Sequence, residues 1–474
     1  MTDLNQTFAA SAPRALSVRW VLASLSLSML LSSLGTSIAN VGLPALAEVF
    51  GATFQAVQWV VLAYLLAITT LIVSVGRLGD LIGRRRLLLA GIALFTLACA
   101  LCGLAPSLWW LIAARAAQGV GAAIMMALTM AFIAETVPKA RTGSAMGLLG
   151  TMSAVGTALG PSLGGVLIAG FGWQAIFLIN VPLGILTFSL AWLYLPADRP
   201  RLKTGASGFD LPGTLLLALT LAAYALAMTL GRGSFGALNV GLSLMAVLGV
   251  GLFVLIESRV ASPLIRLAMF RDRALSASLA TNVFVSTVMM ATLVVGPFYL
   301  FRGLGLNLAV VGVVMSIGPI ISVLSGFPAG RVVDRFGAPV MVIVGLMAMA
   351  TGSIALSVLP AFFGLAGYVA AIAILTPGYQ LFQAANNTVV MLDVPSDQRG
   401  VMSGLLSLSR NLGLITGASA MGAVFALASA APDVTTTPEA VATGMRITFA
   451  VAAVLIVAAL AITVASRVRT AIAR

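Results

Sequence analysis

The feature that most constrains this chain is a succession of about fourteen apolar runs, at residues 18–41, 56–75, 87–105, 108–133, 144–170, 173–194, 211–231, 237–256, 275–300, 308–328, 339–359, 364–390, 401–428 and 442–465. A helix needs roughly 20 apolar residues to cross a ~30 Å hydrocarbon core, and every run is close to that length. Only 8% of the residues are charged, 60% are hydrophobic and the mean hydropathy is +1.11. Soluble domains are about a quarter charged, so this chain has too little charge to cover a water-facing surface of its size. Alternating ten-residue strands, the mark of an outer-membrane barrel, are absent. The expected class is an all-α polytopic membrane protein. The polar N-terminal segment lacks a small-residue cleavage site after a short apolar core, so the run from Val18 is read as a first span and not as a removable leader.

Charge sets the expected topology. The net charge is +13, which could suit nucleic acid, but its placement fits a membrane better. With the N-terminus inside, 21 of the 26 basic residues fall on inner segments, and Arg232, Arg302 and Arg446 on outer loops. That asymmetry is the positive-inside pattern, and an even number of spans puts both termini in the cytoplasm. The chain has no histidine, which removes histidine-based metal sites, catalytic triads and proton relays. Cys99 and Cys102 lie inside an apolar run and read as packing, because a redox pair needs an accessible thiolate. No enzyme activity, cofactor or metal is expected.

The chain repeats. GRLGDLIG at 76–83 recurs as GRVVDRFG at 330–337, 254 positions on. Val137-Pro138, Gly143, Gly147-Leu148-Leu149 and Gly156 recur 257 positions on as Val394-Pro395, Gly400, Gly404-Leu405-Leu406 and Gly413. Two signals at nearly one offset imply two homologous halves. The expected organisation is a six-helix bundle at 1–195, a linker with two inserted helices at 196–270, and a second six-helix bundle at 271–474. Two such halves are the plan of a rocking transporter with its site at the membrane midplane.

These stretches carry a resemblance. GRLGDLIGRRR resembles the cytoplasmic loop signature of the major facilitator superfamily, LIAARAAQGVGAA (111–123) its fourth-helix Arg-x-x-Gln-Gly motif, and GTALGPSLGG (156–165) the fifth-helix motif of its antiporters. ANVGLPALAEVF, QWVVLAYLLA, WQAIFLINVPLG, PLIRLAMFRDR and SGLLSLSRNLG are similar to the fourteen-helix drug:proton antiporter branch, the EmrB/QacA type. The resemblance implies a major facilitator fold of two six-helix bundles plus an inserted pair, in the bacterial cytoplasmic membrane. It implies export of small amphipathic compounds by proton antiport with alternating access. The bilayer, the substrate and protons are then the partners, with a possible periplasmic adaptor and a monomeric state.

Residue roles follow from chemistry and from the resemblance together. Gly76 and Gly83 allow a tight turn and close helix approach, Asp80 can accept hydrogen bonds, Arg77 belongs to the same loop, and the run Arg84, Arg85 and Arg86 sits where anionic headgroups lie. The resemblance implies that this loop is a gating latch, with Gly330, Arg331, Asp334 and Gly337 its reduced copy. Gly156, Gly160, Gly164 and Gly165, with a kink at Pro161, form a small-residue stripe that lets helices touch backbone to backbone. Arg115 lies deep in the fourth run, where a charge faces a cavity or a partner, and Gln118 is nearly one turn on. The resemblance implies a part for both in coupling. Arg410 is similarly deep from the inner side.

One departure matters. This branch shows Leu-Asp before the first-helix Asn-Val-x-Leu-Pro, whereas here Gly35 holds the acidic position in LLSSLGTSIANVGLP. No acid falls near the midplane of any run, and Glu48 and Glu135, at the ends of the first and fourth runs, are the best substitutes for a proton carrier. A cavity with arginines and no acid suits neutral or anionic solutes over lipophilic cations. The alternative reading is therefore a weakly coupled or uncoupled exporter or facilitator of a neutral or anionic metabolite, amino acid or lipid. Polar candidates for the cavity are Asn40, Tyr64, Asn282, Gln380, Gln383, Asn386, Asn387, Arg410 and Asn411, some of which would instead bond one helix to another.

Overall fold

The computed structural model describes residues 18–136, 142–198, 211–230, 236–260, 267–391, 399–429 and 437–472, and among them the regular structure is helical throughout. The first half holds α1 (Val18–Val49), α2 (Phe54–Ile82), α3 (Arg84–Gly103), α4 (Leu108–Thr136), α5 (Thr142–Phe171), α6 (Ala175–Leu178) and α7 (Asn180–Tyr194). Then come α8 (Leu211–Thr229) and α9 (Ala237–Glu257). The second half holds α10 (Arg273–Phe298), α11 (Leu308–Phe336), α12 (Ala338–Met391), α13 (Arg399–Thr416), α14 (Gly422–Ala428) and α15 (Pro438–Ile472). Helices are the only open-ended way to satisfy every backbone group inside hydrocarbon. Eleven of the described helices are long and apolar enough to cross a membrane, and Val155–Phe171 and Pro212–Met228 are shorter apolar helices.

The 54-residue α12 is not one rod. Gly364 has left-handed φ of 51° and breaks the helix, and the two legs fold back on each other. A Cβ at Gly352 would lie 2.7 Å from Leu375 Cα, and one at Gly345 would lie 2.7 Å from Phe382 N. These glycines let the legs meet along their backbones, which is how helices associate where no water drives them together. The first half makes the same contact between α3 and α4: a Cβ at Gly121 would lie 2.7 Å from Phe95 N, and one at Gly91 2.7 Å from Ile124 Cβ. Gly91 and Gly345 are related by the 254-residue offset, and Gly121 and Gly378 by 257.

The surface is apolar where lipid would lie. Leu97, Val166, Leu248, Leu324, Phe362 and Val454 are all exposed, an arrangement that is stable only against hydrocarbon. The inserted pair is the extreme case: α9 buries only Asn239, Ala246, Phe253 and Glu257. Its partner α8 packs on α2, where Ser74 and Thr214 share a hydrogen bond of 2.7 Å.

The glycine stripe of α5 faces two helices at once. Cβ atoms at Gly156 and Gly160 would collide with the Leu30–Ile38 stretch of α1, and one at Gly164 with Val41. Gly165 instead meets Gly312 of α11, with only 2.6 Å between a Cβ at either glycine and the other's Cα. The repeat places an equivalent crossing between α2 and the α13–α14 segment. There Gln58 stands where the second half has Gly312, and its Nε2 donates to Ala418 O at 2.9 Å. One crossing is glycine on glycine, the other is a side-chain hydrogen bond. Overpacking a tight site costs about 1–3 kcal/mol. Gly165→Val is therefore expected to lower the thermal unfolding midpoint in detergent by several degrees. Gly170→Ala, where nothing lies within 4 Å, is expected to leave the midpoint unchanged, and equal midpoints for both variants would refute this packing account.

Candidate functional site

Arg115 is fully buried in α4 and is held by neutral groups. Its Nε donates to Val60 O at 2.8 Å, and one terminal nitrogen donates to Gly35 O at 3.0 Å and to Gln118 Oε1 at 2.5 Å. The guanidinium carbon stands 4.2 Å from the centroid of the Tyr64 ring and 5.9 Å from that of Phe177. Its second terminal nitrogen is buried with no partner among the described residues. A buried cation is tolerated where acceptors meet its donors and aromatic π density covers its face, and here four helices supply three acceptors and two rings. At position 35 the acceptor is the backbone carbonyl of α1 itself.

Around this cation the contacts close into a network. Gln118 Nε2 lies 3.0 Å from Cys99 Sγ, and Tyr64 donates its hydroxyl to Ser32 O at 2.7 Å. Cys99 and Cys102 are both buried and unbridged. A Cβ at Gly35 would lie 3.1 Å from the Tyr64 hydroxyl and 3.3 Å from the Phe95 ring. A side chain at the position that carries an acid in the resembling branch would thus meet Tyr64 and Phe95, while the backbone carbonyl there accepts from Arg115.

At the end of the bundle where α1 stops and α2 starts, the halves are locked. Glu48 and Arg302 form an ion pair across them. The 254-residue offset makes these equivalent positions of the two halves, carrying opposite charge. Beside them Phe54 packs edge-on to Phe298, with centroids 4.6 Å apart, and against Phe425 at 5.1 Å. Arg302 belongs to a π-helical segment, Tyr299–Gly303, and a second one, Gly417–Met421, joins α13 to α14. Such segments bend helices and often mark functional positions.

The remaining candidates fall as follows. In the charged stretch at 76–86, only the backbone of Gly76, Arg77 and Asp80 is described, as part of α2, so the latch expected at Asp80 lies outside the described side chains. Gly83 takes left-handed φ of 107° and starts α3. Arg85 donates to Trp192 O at 2.5 Å and stacks over its ring. In the copy, Asp334 and Arg331 are exposed and Gly337 again turns the chain, with φ of 86°. Glu135 lies near the end of α4, with its side chain outside the described set.

Of the polar candidates, Asn40 donates to Thr36 O and Ser37 O within α1, and Asn282 of α10 donates to Leu406 O and Ser409 Oγ of α13. Gln383 donates to Tyr379 Oη one turn away. Gln380 is half-buried and Asn387 exposed. On α13, Arg410 Nε and Asn411 Nδ2 are buried without partners among the described residues. Tyr64 is packed under Arg115 and not open to a cavity. The pairing of Glu48 with Arg302 was not anticipated from the sequence, since the repeat makes the two positions equivalent without making them partners, and the cradle of Arg115 rests largely on backbone carbonyls, which carry no sequence signal.

A planar fork that bonds three acceptors cannot be replaced by an ammonium. Arg115→Lys is expected to cost on the order of 2–4 kcal/mol of stability through lost charge-assisted hydrogen bonds, read as a lower unfolding midpoint at unchanged membrane insertion. A midpoint equal to that of the wild type would mean that the cradle is not structural.

Comparison with known proteins converges on one family. The family model described as Major Facilitator Superfamily matches residues 25–418. The Riboflavin transporter RibZ of Clostridioides difficile is 31% identical over 409 residues, covering 86% of this chain and 88% of that one. The Multidrug resistance protein Stp of Mycobacterium tuberculosis is 31% identical over 409 residues, covering 85% and 75%. Among solved structures, a bacterial homologue of the human lysosomal transporter Spinster, in an inward-facing and unoccupied conformation, superposes with a TM-score of 0.69 at 17% identity. That match covers 95% of this chain and 97% of the other.

Proposed function

Because the chain belongs to the Major Facilitator Superfamily and is a multi-pass membrane transport protein, we propose that it exports small amphipathic compounds from the bacterial cytoplasm by alternating access. The observation that carries this reading is the locked end of the bundle. Glu48–Arg302, the Phe54–Phe298–Phe425 cluster and the two helix crossings join the halves on the side that the positive-inside pattern assigns to the exterior. On this reading the outer end of the passage between the halves is closed. The match to an inward-facing structure supports the same fold.

The wider architecture follows. Fourteen spans arise if the two legs of α12 are counted separately and the shorter helices Val155–Phe171 and Pro212–Met228 each cross, as the EmrB/QacA branch implies. The halves are 1–195 and 271–474, with the inserted pair at 196–270, and both termini are cytoplasmic. The names of the relatives, a riboflavin transporter and multidrug resistance proteins, support small organic substrates without selecting one. The protein acts as a monomer, with or without a periplasmic adaptor.

Proton coupling is assigned to Glu48. Its carboxylate spans the outer closure through Arg302, and Glu135 at the inner end of α4 is the second candidate. The stripe Gly156, Gly160, Pro161, Gly164 and Gly165 is the sliding contact of the rocking motion, and the loops at 76–86 and 330–337 serve the opposite closure. Arg115 and Gln118 serve coupling from inside the first half, where they tie α1, α2 and α4 together, and the absence of an acid at position 35 favours neutral and anionic solutes. Gly35 supports the second reading, transport without proton coupling.

The test is uptake of cationic, neutral and anionic fluorescent compounds into inverted membrane vesicles with an imposed pH gradient, repeated with Glu48→Gln. Neutral or anionic compounds are expected to accumulate with the gradient in the wild type, and Glu48→Gln to lose at least about tenfold of that accumulation while keeping gradient-independent exchange. Wild-type uptake indifferent to the gradient would establish the second reading, and no uptake of any compound would contradict export.

A further inference from the structure

The second half has a deep cation of its own. Arg410 is the twelfth of the thirty residues that run from Arg399 through α13, the Gly417–Met421 turn and α14 to Ala428. It stands about 16 Å from the inner end of that segment, near the middle of a ~30 Å core. Unlike Arg115, it is bound to nothing. Its Nε is buried with no partner, while its two terminal nitrogens keep accessible surface and meet no acceptor among the described residues.

The neighbours of α13 fix which way this side chain points. One flank is sealed to α10: Asn282 donates to Leu406 O and Ser409 Oγ, and Cβ atoms at Gly413 and Gly417 would lie 2.4 Å from Val283 O and Thr287 O. The other flank meets the first half, where Gln58 of α2 donates to Ala418 O. The inserted pair covers the back. Leu405 and Leu408 share a buried cluster with Leu216 and Leu217 of α8 and Phe253 of α9, and the Tyr224 hydroxyl of α8 hydrogen-bonds with Thr416 and Ser419. At about 100° per residue, Arg410 falls between the α10 and α2 flanks and away from α8. It shares that face with Ser407 and Leu414, both half-buried, and the face borders the passage between the halves.

Depth and charge narrow what such a group can face. A guanidinium at this level is too costly to front lipid, so its open nitrogens belong to the passage. Among the described residues no acid lies at that depth. Asp80 and Asp334 each sit two residues from the inner end of their helices, and Glu48 lies at the outer end of α1. The other deep guanidinium, Arg115, is fully buried inside the first half and offers no surface. The passage thus contains one open cation without a counter-ion of its own.

We propose that Arg410 is the residue that selects anionic substrates, and that its two terminal nitrogens take a carboxylate of the transported compound at the middle of the passage. A planar guanidinium presents paired donors that match the two oxygens of a carboxylate, and such charge-assisted pairs are the strong ones. A carboxamide of the same shape offers one acceptor and no charge, and a cation is repelled. The inference rests on the transport reading and names, within it, the group that is recognised.

The test is calorimetric binding to the full-length protein in detergent. The probes are benzoate, salicylate and coumarin-3-carboxylate, each beside its neutral carboxamide, with the wild type, Arg410→Gln and Arg410→Lys. Carboxylate affinity is expected to fall about 10- to 100-fold in Arg410→Gln through loss of the charge-assisted bonds, and less in Arg410→Lys, with carboxamide affinity unchanged in both. A purely structural arginine would not separate the two classes of probe. If no carboxylate binds the wild type more tightly than Arg410→Gln, or if carboxylates and carboxamides weaken alike, the proposal is overturned. Should Arg410→Gln not purify as a single species, Ser407→Asp keeps the arginine and gives it a carboxylate one turn away, and the same selective loss is expected under the same criteria. Binding needs neither a gradient nor a direction. Vesicle uptake that fails while the split between carboxylate and carboxamide stands would therefore contradict export and leave the site in place.

Discussion

A guanidinium buried among neutral groups is the constraint on which the first half depends. Arg115 ties α1, α2 and α4 together through Gly35 O, Val60 O and Gln118, and α6 covers it with Phe177. Removing a cation from water is expensive, and only dense, well-directed acceptors offset that cost. Because two of the acceptors are backbone carbonyls, the helices must sit at fixed depth and rotation. Glycine at position 35 and the close approach of the helices are therefore parts of one arrangement.

The same logic extends to the rest of the bundle. Helices in lipid have no hydrophobic drive toward one another, so contact depends on small residues and on hydrogen bonds. The α3–α4 pair and the two legs of α12 use glycines at equivalent positions of the repeat. The interface between halves departs from symmetry: Gly165 meets Gly312 on one side, and Gln58 bonds to Ala418 on the other. The inserted pair is the related asymmetry, because α8 packs beside the Gln58 crossing. A contact of two glycines can slide, whereas a hydrogen-bonded crossing holds a register. Motion between the halves would then have a looser and a tighter side.

Much of this was legible in the sequence. The apolar runs at 18–41 and 56–75 became α1 and α2 with ends extended by several residues, since a helix continues past the hydrocarbon until a breaker or a polar turn stops it. The repeat was read from the loops at 76–83 and 330–337, and the same offset relates Gly91 to Gly345, whose matching contacts emerged only with the structure. What escaped the sequence was partnership. Nothing at Asp198 marks it as the cap of α3, because the acid and the amides are 112 residues apart or more. Asn40 and Asn282 look alike as polar residues in apolar runs, yet one bonds its own helix and the other joins α10 to α13. Polarity locates such groups, and only packing decides what they face.

The proposed preference for neutral and anionic solutes depends on the absence of an acid at position 35. Its most direct test is transport of a matched pair of fluorescent compounds, one anionic and one cationic, by the wild type and by Gly35→Asp at equal membrane abundance. The account predicts that the wild type moves the anionic compound, and that cation transport appears only once a carboxylate stands at position 35. Efficient cation transport by the wild type, unchanged by Gly35→Asp, would contradict it.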